Sequence, residues 1–267
     1  DALYDLSDLR VKPPSIKASN KDRLWCQHLV RDFLARYPVF AGLVCNNIIL
    51  ADIAIANAEI LFGERVDESN FIEIKSVIDE INRGAWTREK DVSERQSGIS
   101  TLGTISEELL RIIFEQLVDN KNFFKVDQSE VQSYGDFVLI CLPNNLWLSV
   151  KSNFARERLL ASGYANDILG VGFFQDHTEF TSSVRIRNFQ RGGFLAMYCP
   201  DVAVSESQIN NETNTYDQVM EQYKINGQIP PTNINGMPFI RRLSSLSSDL
   251  SQLLEEQDVR KRSTVAF

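Results

Sequence analysis

The stretch that decides the fold is YGDFVLICLPNNLWLSVKS, residues 134–152. Two apolar runs rich in β-branched and aromatic residues flank Pro143, Asn144 and Asn145, and turn formers between such runs specify a hairpin. With Asn144 and Asn145 at the tip, Val138 faces Lys151 and Ile140 faces Ser149. Side chains alternate along a strand, so Asp136 falls on the same face as Ser149 and Lys151, one diagonal step from the lysine and roughly 5 to 8 Å away. One bulge or one residue of slip would invert that relation, because the side-chain period is two.

Outward from the hairpin, ILGVGFF (168–174) and GFLAMYC (193–199) read as further strands, and FARERLLAS (154–162) reads as a helix before them. Upstream the texture is helical. Residues 21–37, 47–62 and 70–83 place apolar side chains at three-and-four spacing, and Pro38 ends the first run. Residues 84–103 are polar, charged and without a period, which predicts a loop, and a strong helix follows over 104–119. Downstream, residues 205–236 are rich in Asn and Gln with a helix near 216–223. An amphipathic helix over 242–259 then carries Leu243, Leu246, Leu250, Leu253 and Leu254 on one side. The chain is therefore expected to be α/β: a helical region over 1–103 for DNA reading or a dimer contact, a core over 104–204, and a polar segment with a last helix over 205–267.

Composition narrows the function. With 267 residues, 43% hydrophobic and 24% charged, the chain is long enough for one large domain or two small ones. A net charge of -8 excludes a globally basic nucleic-acid coat and leaves room for a local basic cleft. Cys26, Cys45, Cys141 and Cys199 form no Cys-x-x-Cys pair, which excludes a zinc ribbon or a thioredoxin motif and favours reduced, buried thiols. His28 and His177 lie far apart and in no metal motif, and neither a P-loop, a full dinucleotide fingerprint nor an internal repeat is present. The apolar run over 38–62 is interrupted by Asn46, Asn47, Asp52, Asn57 and Glu59, so it reads as a core helix and no membrane association is expected. No secretory leader is visible, and with free thiols this implies a cytoplasmic location.

A carboxylate beside a lysine on one face of a hairpin suits a metal-dependent phosphodiesterase. Mg²⁺ takes hard oxygen ligands and keeps waters, while a cation beside the phosphate offsets charge in the transition state. Asp136 would hold the ion, and Lys151 would orient or deprotonate the attacking water. These residues resemble the PD-(D/E)xK nucleases, in particular type II restriction endonucleases. The likeness rests on Gly135-Asp136 entering a hairpin, on Ser149-Val150-Lys151 in its far strand, and on SVKSNFARERLLASGYANDILGVGFF, covering roughly residues 104–200. The family usually carries Pro where Gly135 stands and Asp or Glu where Ser149 stands.

The resemblance implies a restriction-endonuclease-like mixed β-sheet core flanked by helices. It also implies a Mg²⁺ cofactor, double-stranded DNA as substrate, and pairing as a homodimer or with a related subunit. It further implies a metal site of Asp136, Glu107 and, through its main chain, Val150, with Asp136, Lys151 and Glu107 catalytic. Glu107 lies where the polar and apolar faces of the 104–119 helix meet, and it is one of two acids that could stand in for the one missing at Ser149. The other is Glu157, flanked by Arg156 and Arg158 and thereby suited to an ion pair.

Charge supports the placement. Between Val150 and Pro200 there are six basic residues against four acids, and SVRIRNFQRGGF holds Arg185, Arg187 and Arg191 with no acid. That run reads as a strand with Arg185 and Arg187 on one face, and together with Arg156 these are the expected DNA contacts. A second reading is a catalytically weakened, nuclease-like subunit that binds DNA or a partner, motivated by Ser149. A third is a helical interaction protein with a small sheet, in which Asp136 and Lys151 do not converge.

Overall fold

The computed structural model describes residues 51–86, 92–117, 123–126, 135–141, 144–151, 167–254 and Phe267. The chain forms two compact units: the residues up to Leu110 with Val204–Glu212, and Arg111–Ala203 with Thr213–Phe267.

The first unit is helical. Helix α1 (Ala51–Phe62) buries Ala54, Ile55 and Ala58, and α2 (Phe71–Trp86) buries Phe71, Ile74, Val77 and Ile78, the stripe expected of helices packed together. Within α2 the wholly buried Lys75 donates to Asp79 at 2.5 Å, one turn on. Helix α3 (Val92–Leu117) is 26 residues long, and its part beyond Leu110 belongs to the second unit. Residues 92–103, expected as loop, are its first turns. The apolar stripe that begins at Leu102, Ile105 and Leu109 nucleates the helix, and adding turns to an existing helix is far easier than starting one. The short α5 (Glu206–Asn210) completes this unit, capped by Ser205.

The second unit is built on a six-stranded mixed sheet in chain order: β1 (Phe123–Lys125), β2 (Phe137–Leu139), β3 (Leu146–Lys151), β4 (Ile168–Gly172), β5 (Phe194–Cys199) and β6 (Ile240–Arg242). Strand β2 is antiparallel to both neighbours, while β3 through β6 run parallel. Every residue of β4 and β5 is buried, as near-continuous apolar strands covered on both faces must be. On one face Phe114 of α3 meets Phe123 and Phe137, with ring centroids 5.0 and 5.9 Å apart. On the other, α4 (Ser183–Arg191) and α6 (Thr215–Ile225) contribute Ile186, Phe189, Val219 and Tyr223 to a cluster with Ile168, Phe194 and Met197, against which Trp147 packs. Beyond β6, α7 (Leu246–Leu254) is tied to the sheet where Tyr198 Oη and Arg241 Nη1 both donate to Asp249, at 2.6 and 2.9 Å.

Two expectations need correction. The hairpin pairs Phe137 with Leu148 and Val138 with Trp147, so Val138 does not face Lys151 and its partner stands four residues earlier than a tip at Asn144 and Asn145 requires. The run SVRIRNFQR is helix α4, not a strand. Its buried Ile186 and Phe189 lie three apart, on one helical face against the sheet, and the Ser182 side chain caps its start by accepting from the Arg185 N–H. The expected helices over 154–162 and over 21–37 lie outside the described residues.

Glycines mark the tight points. A Cβ on Gly172 would stand 2.8 Å from the Lys151 carbonyl oxygen and 2.6 Å from the Phe174 ring, whereas one on Gly103 in α3 would meet nothing within 4 Å. Gly172→Ala is expected to destabilise the protein by about 1–3 kcal/mol through forced displacement of β3 from β4. Gly103→Ala should stabilise it by about 0.5–1 kcal/mol by restricting the unfolded chain. Urea unfolding of the two variants measures both, and equal effects of one sign would contradict this packing of β4 on β3.

Candidate active site

Ligands of open α/β sheets gather outside the carboxyl ends of the parallel strands. Lys151 is the last residue of β3, and Asp136 directly precedes the antiparallel β2, so both stand at that rim. Continuing the hairpin register by one residue sets Asp136 opposite Ser149 and leaves Lys151 one diagonal step away. The ends meet: Lys151 Nζ lies 3.8 Å from Asp136 Oδ2, with the lysine side chain 31% exposed and the aspartate 11%.

The hairpin fixes the carboxylate through the main chain. Val150, itself buried, donates its N–H to Asp136 Oδ2 at 2.5 Å, while the Asp136 N–H donates to the Leu148 carbonyl and the Asp136 carbonyl accepts from Val126. Among the described residues no hydrogen bond engages Oδ1, which leaves one carboxylate oxygen for a ligand. On the far side, the Lys151 carbonyl accepts from the Phe173 N–H. The sheet therefore holds main chain and charge together, with the lysine side chain partly exposed at the rim.

Ser149 is buried, 7% exposed, between Asp136 and its parallel partner Gly170, so its hydroxyl replaces a carboxylate with a weaker, neutral oxygen. Glu107 is a half-buried residue of α3 within the first unit. Arg156 and Glu157 lie outside the described residues. Among the described residues, no three His, Cys, Asp or Glu side chains gather as a metal site.

The three arginines of α4 are exposed, but the helix separates them. Residues two apart point in nearly opposite directions on a helix, so Arg185 and Arg187 do not share a face. Arg185 approaches the buried Glu179 at 3.7 Å, and Arg187 Nε donates to the Ser183 carbonyl at its own helix start.

Elsewhere along the rim two acids lie beside one arginine, Arg242, an arrangement that sequence reasoning missed. Asp201, after β5, accepts from the Ser244 N–H and lies 3.9 Å from Arg242, which also approaches Asp217 at 3.7 Å and stacks over Tyr216. Acids placed just after strand ends were visible in the sequence, but nothing there named their partners. Cys199 is no nucleophile: burial first, then the Glu179 charge, push its thiol well above the ordinary range. Compared with family models, curated proteins and solved structures, the chain matches none. No helix among the described residues is long and apolar enough to cross a membrane.

Because the buried Val150 N–H depends on the Asp136 side chain, Asp136→Ala should cost about 1–3 kcal/mol of stability by orphaning that donor. Asp136→Asn keeps an acceptor oxygen, so it should cost under about 1 kcal/mol. Chemical denaturation distinguishes them, and indifference to Asp136→Ala would mean that the bond does not hold the strand end.

Proposed function

We propose that the chain is a type II restriction endonuclease, or one subunit of one, hydrolysing phosphodiester bonds of double-stranded DNA in a Mg²⁺-dependent reaction at a specific sequence. One observation carries the reading: a carboxylate held by a main-chain N–H and a partly exposed ammonium 3.8 Å from it at the carboxyl rim of a mixed sheet flanked by helices, the sheet type expected of the PD-(D/E)xK nucleases. The donor chemistry fits a hard cation, since Mg²⁺ takes one or two carboxylates and completes its shell with waters and substrate phosphate oxygens. Asp136 and the Val150 main chain would hold it, with Glu107 as the further acid that the family resemblance implies. When bound, the ion polarises a phosphate oxygen and offsets charge on the leaving group.

The residues of the chain do the rest. Lys151, tethered at its main chain and with its side chain partly exposed, orients the attacking water and carries positive charge to the pentacovalent phosphate. Asp136 sets where that amine rests before DNA arrives. One site cuts one strand, so double-strand cleavage calls for two, from identical subunits or from a related partner. A cytoplasmic location accords with buried free thiols at Cys141 and Cys199.

Ser149 favours a second reading, a weakened nuclease-like subunit that binds DNA without cutting it. Supercoiled plasmid incubated with the purified chain in Mg²⁺ decides between them. The first reading predicts nicked or linear product from the native chain. It also predicts rates reduced at least about a hundred- to a thousandfold by Asp136→Asn and by Lys151→Glu. DNA binding in Ca²⁺ should survive Asp136→Asn. Cleavage by Asp136→Asn at about a tenth of the native rate or more would remove Asp136 as principal ligand, and binding without any cleavage by the native chain would favour the second reading.

A further inference from the structure

The segment between α6 and β6, residues 226–238, is the least expected surface on the molecule. It contains no charged residue, yet Ile229 and Ile234 are 89% and 91% exposed, and Ile225 at its root is 68% exposed. Such side chains are ordinarily buried. The segment is nonetheless tightly built. Buried Asn233 donates to the Leu195 carbonyl at 3.0 Å and accepts from the Asn235 and Met237 N–H groups. Thr232 bridges Pro238, Phe239 N–H donates to Pro231, and Gly236 takes the left-handed conformation the turn needs, φ 78°. Pro230 and Pro231 stiffen it further.

The loop is also fastened to α4, since Gln190 Nε2 donates to the Thr232 carbonyl at 2.7 Å. Next to Gln190 on the exposed side of that helix stand Arg187 and Arg191, which form no ion pair among the described residues, and α4 carries no acid. The bond from Gln190 to Thr232 thus joins the loop that carries the exposed isoleucines and the exposed Asn226 and Gln228 to the helix that carries two arginines without an ion pair among the described residues. The complementary partner is anionic outside and apolar within, which describes duplex DNA with its phosphates and stacked bases.

We propose that this loop is a wedge that inserts Ile229 and Ile234 into duplex DNA while Arg187 and Arg191 grip the flanking phosphates. The proposal rests on the nuclease reading. The loop and the end of α4 lie at the amino end of the parallel strands, opposite Asp136 and Lys151, and the six residues of β5 set the two ends about 20 Å apart. One duplex turn of about 34 Å reaches both.

Wedge insertion unwinds DNA, and this can be read without knowing the recognition sequence. Closed circular plasmid is relaxed by a metal-independent topoisomerase in the presence of the full chain and without Mg²⁺, and binding to a randomised 40-base-pair duplex pool is followed by anisotropy. The native chain is expected to shift the linking number. Ile229→Ser with Ile234→Ser should abolish the shift and weaken binding about tenfold, and Arg187→Ala with Arg191→Ala should weaken binding and flatten its salt dependence. Unchanged linking number and affinity in the isoleucine variant would overturn the wedge and leave the nuclease reading standing. Failure of the native chain to bind duplex would overturn both. Conversion of a native dimer to monomer by the isoleucine variant, with unwinding unchanged, would assign the loop to a second copy of the chain and overturn the wedge.

Discussion

The bond from the Val150 N–H to the Asp136 carboxylate makes one acid serve both the sheet and the site. Val150 is buried, so its main-chain donor must find an acceptor, and at the end of the hairpin that acceptor is a side chain. The carboxylate is thereby fixed relative to the next residue, Lys151, whose carbonyl is fixed from the opposite side by β4. The convergence of acid and ammonium follows from hydrogen-bond satisfaction, and chemistry can use it because one carboxylate oxygen and the lysine amine remain at the rim.

Packing then determines how much of the rim is open. Gly172 lets β4 approach the Lys151 carbonyl, and Gly170 leaves room for the Met197 sulfur beside Ser149, so the floor beneath the pair is solid. The acids farther along the same rim are occupied: Glu179 by Arg185, and Asp201 and Asp217 by Arg242. Asp136 differs in having a lysine beside it, a compact charge on a flexible stem, where the other acids have arginine.

Much of this was legible in the sequence. Strands β2 to β5 announced themselves through apolar, β-branched runs, whereas β1 and β6, three residues each, carried no such signal, and Arg242, expected to open the last helix, ends β6 instead. The acid and lysine were placed on one face by parity alone. The register itself was misread, because Asn144 and Asn145 are strong turn formers and drew the expected pairing too far along. The parity argument survived because the shift in partner is four residues, an even number, and Lys151 is again a diagonal neighbour of Asp136 from the other side. Helix α4 was illegible for a different reason. Ser-Val-Arg-Ile-Arg alternates like a strand, and only the sheet beneath it selects Ile186 and Phe189 as the buried face. The arginine clusters at the rim join residues some forty positions apart, and no local pattern encodes such pairs.

The central claim is that Asp136 and Lys151 make a site that cuts DNA at a fixed sequence. Its most direct test is to treat long natural DNA with the purified chain in Mg²⁺ and to sequence the ends of every cut or nicked strand. A shared sequence at a fixed distance from the ends, lost when Mg²⁺ is replaced by Ca²⁺, is the result this account predicts. Strands left intact in Mg²⁺, or ends scattered without any common sequence, would contradict it.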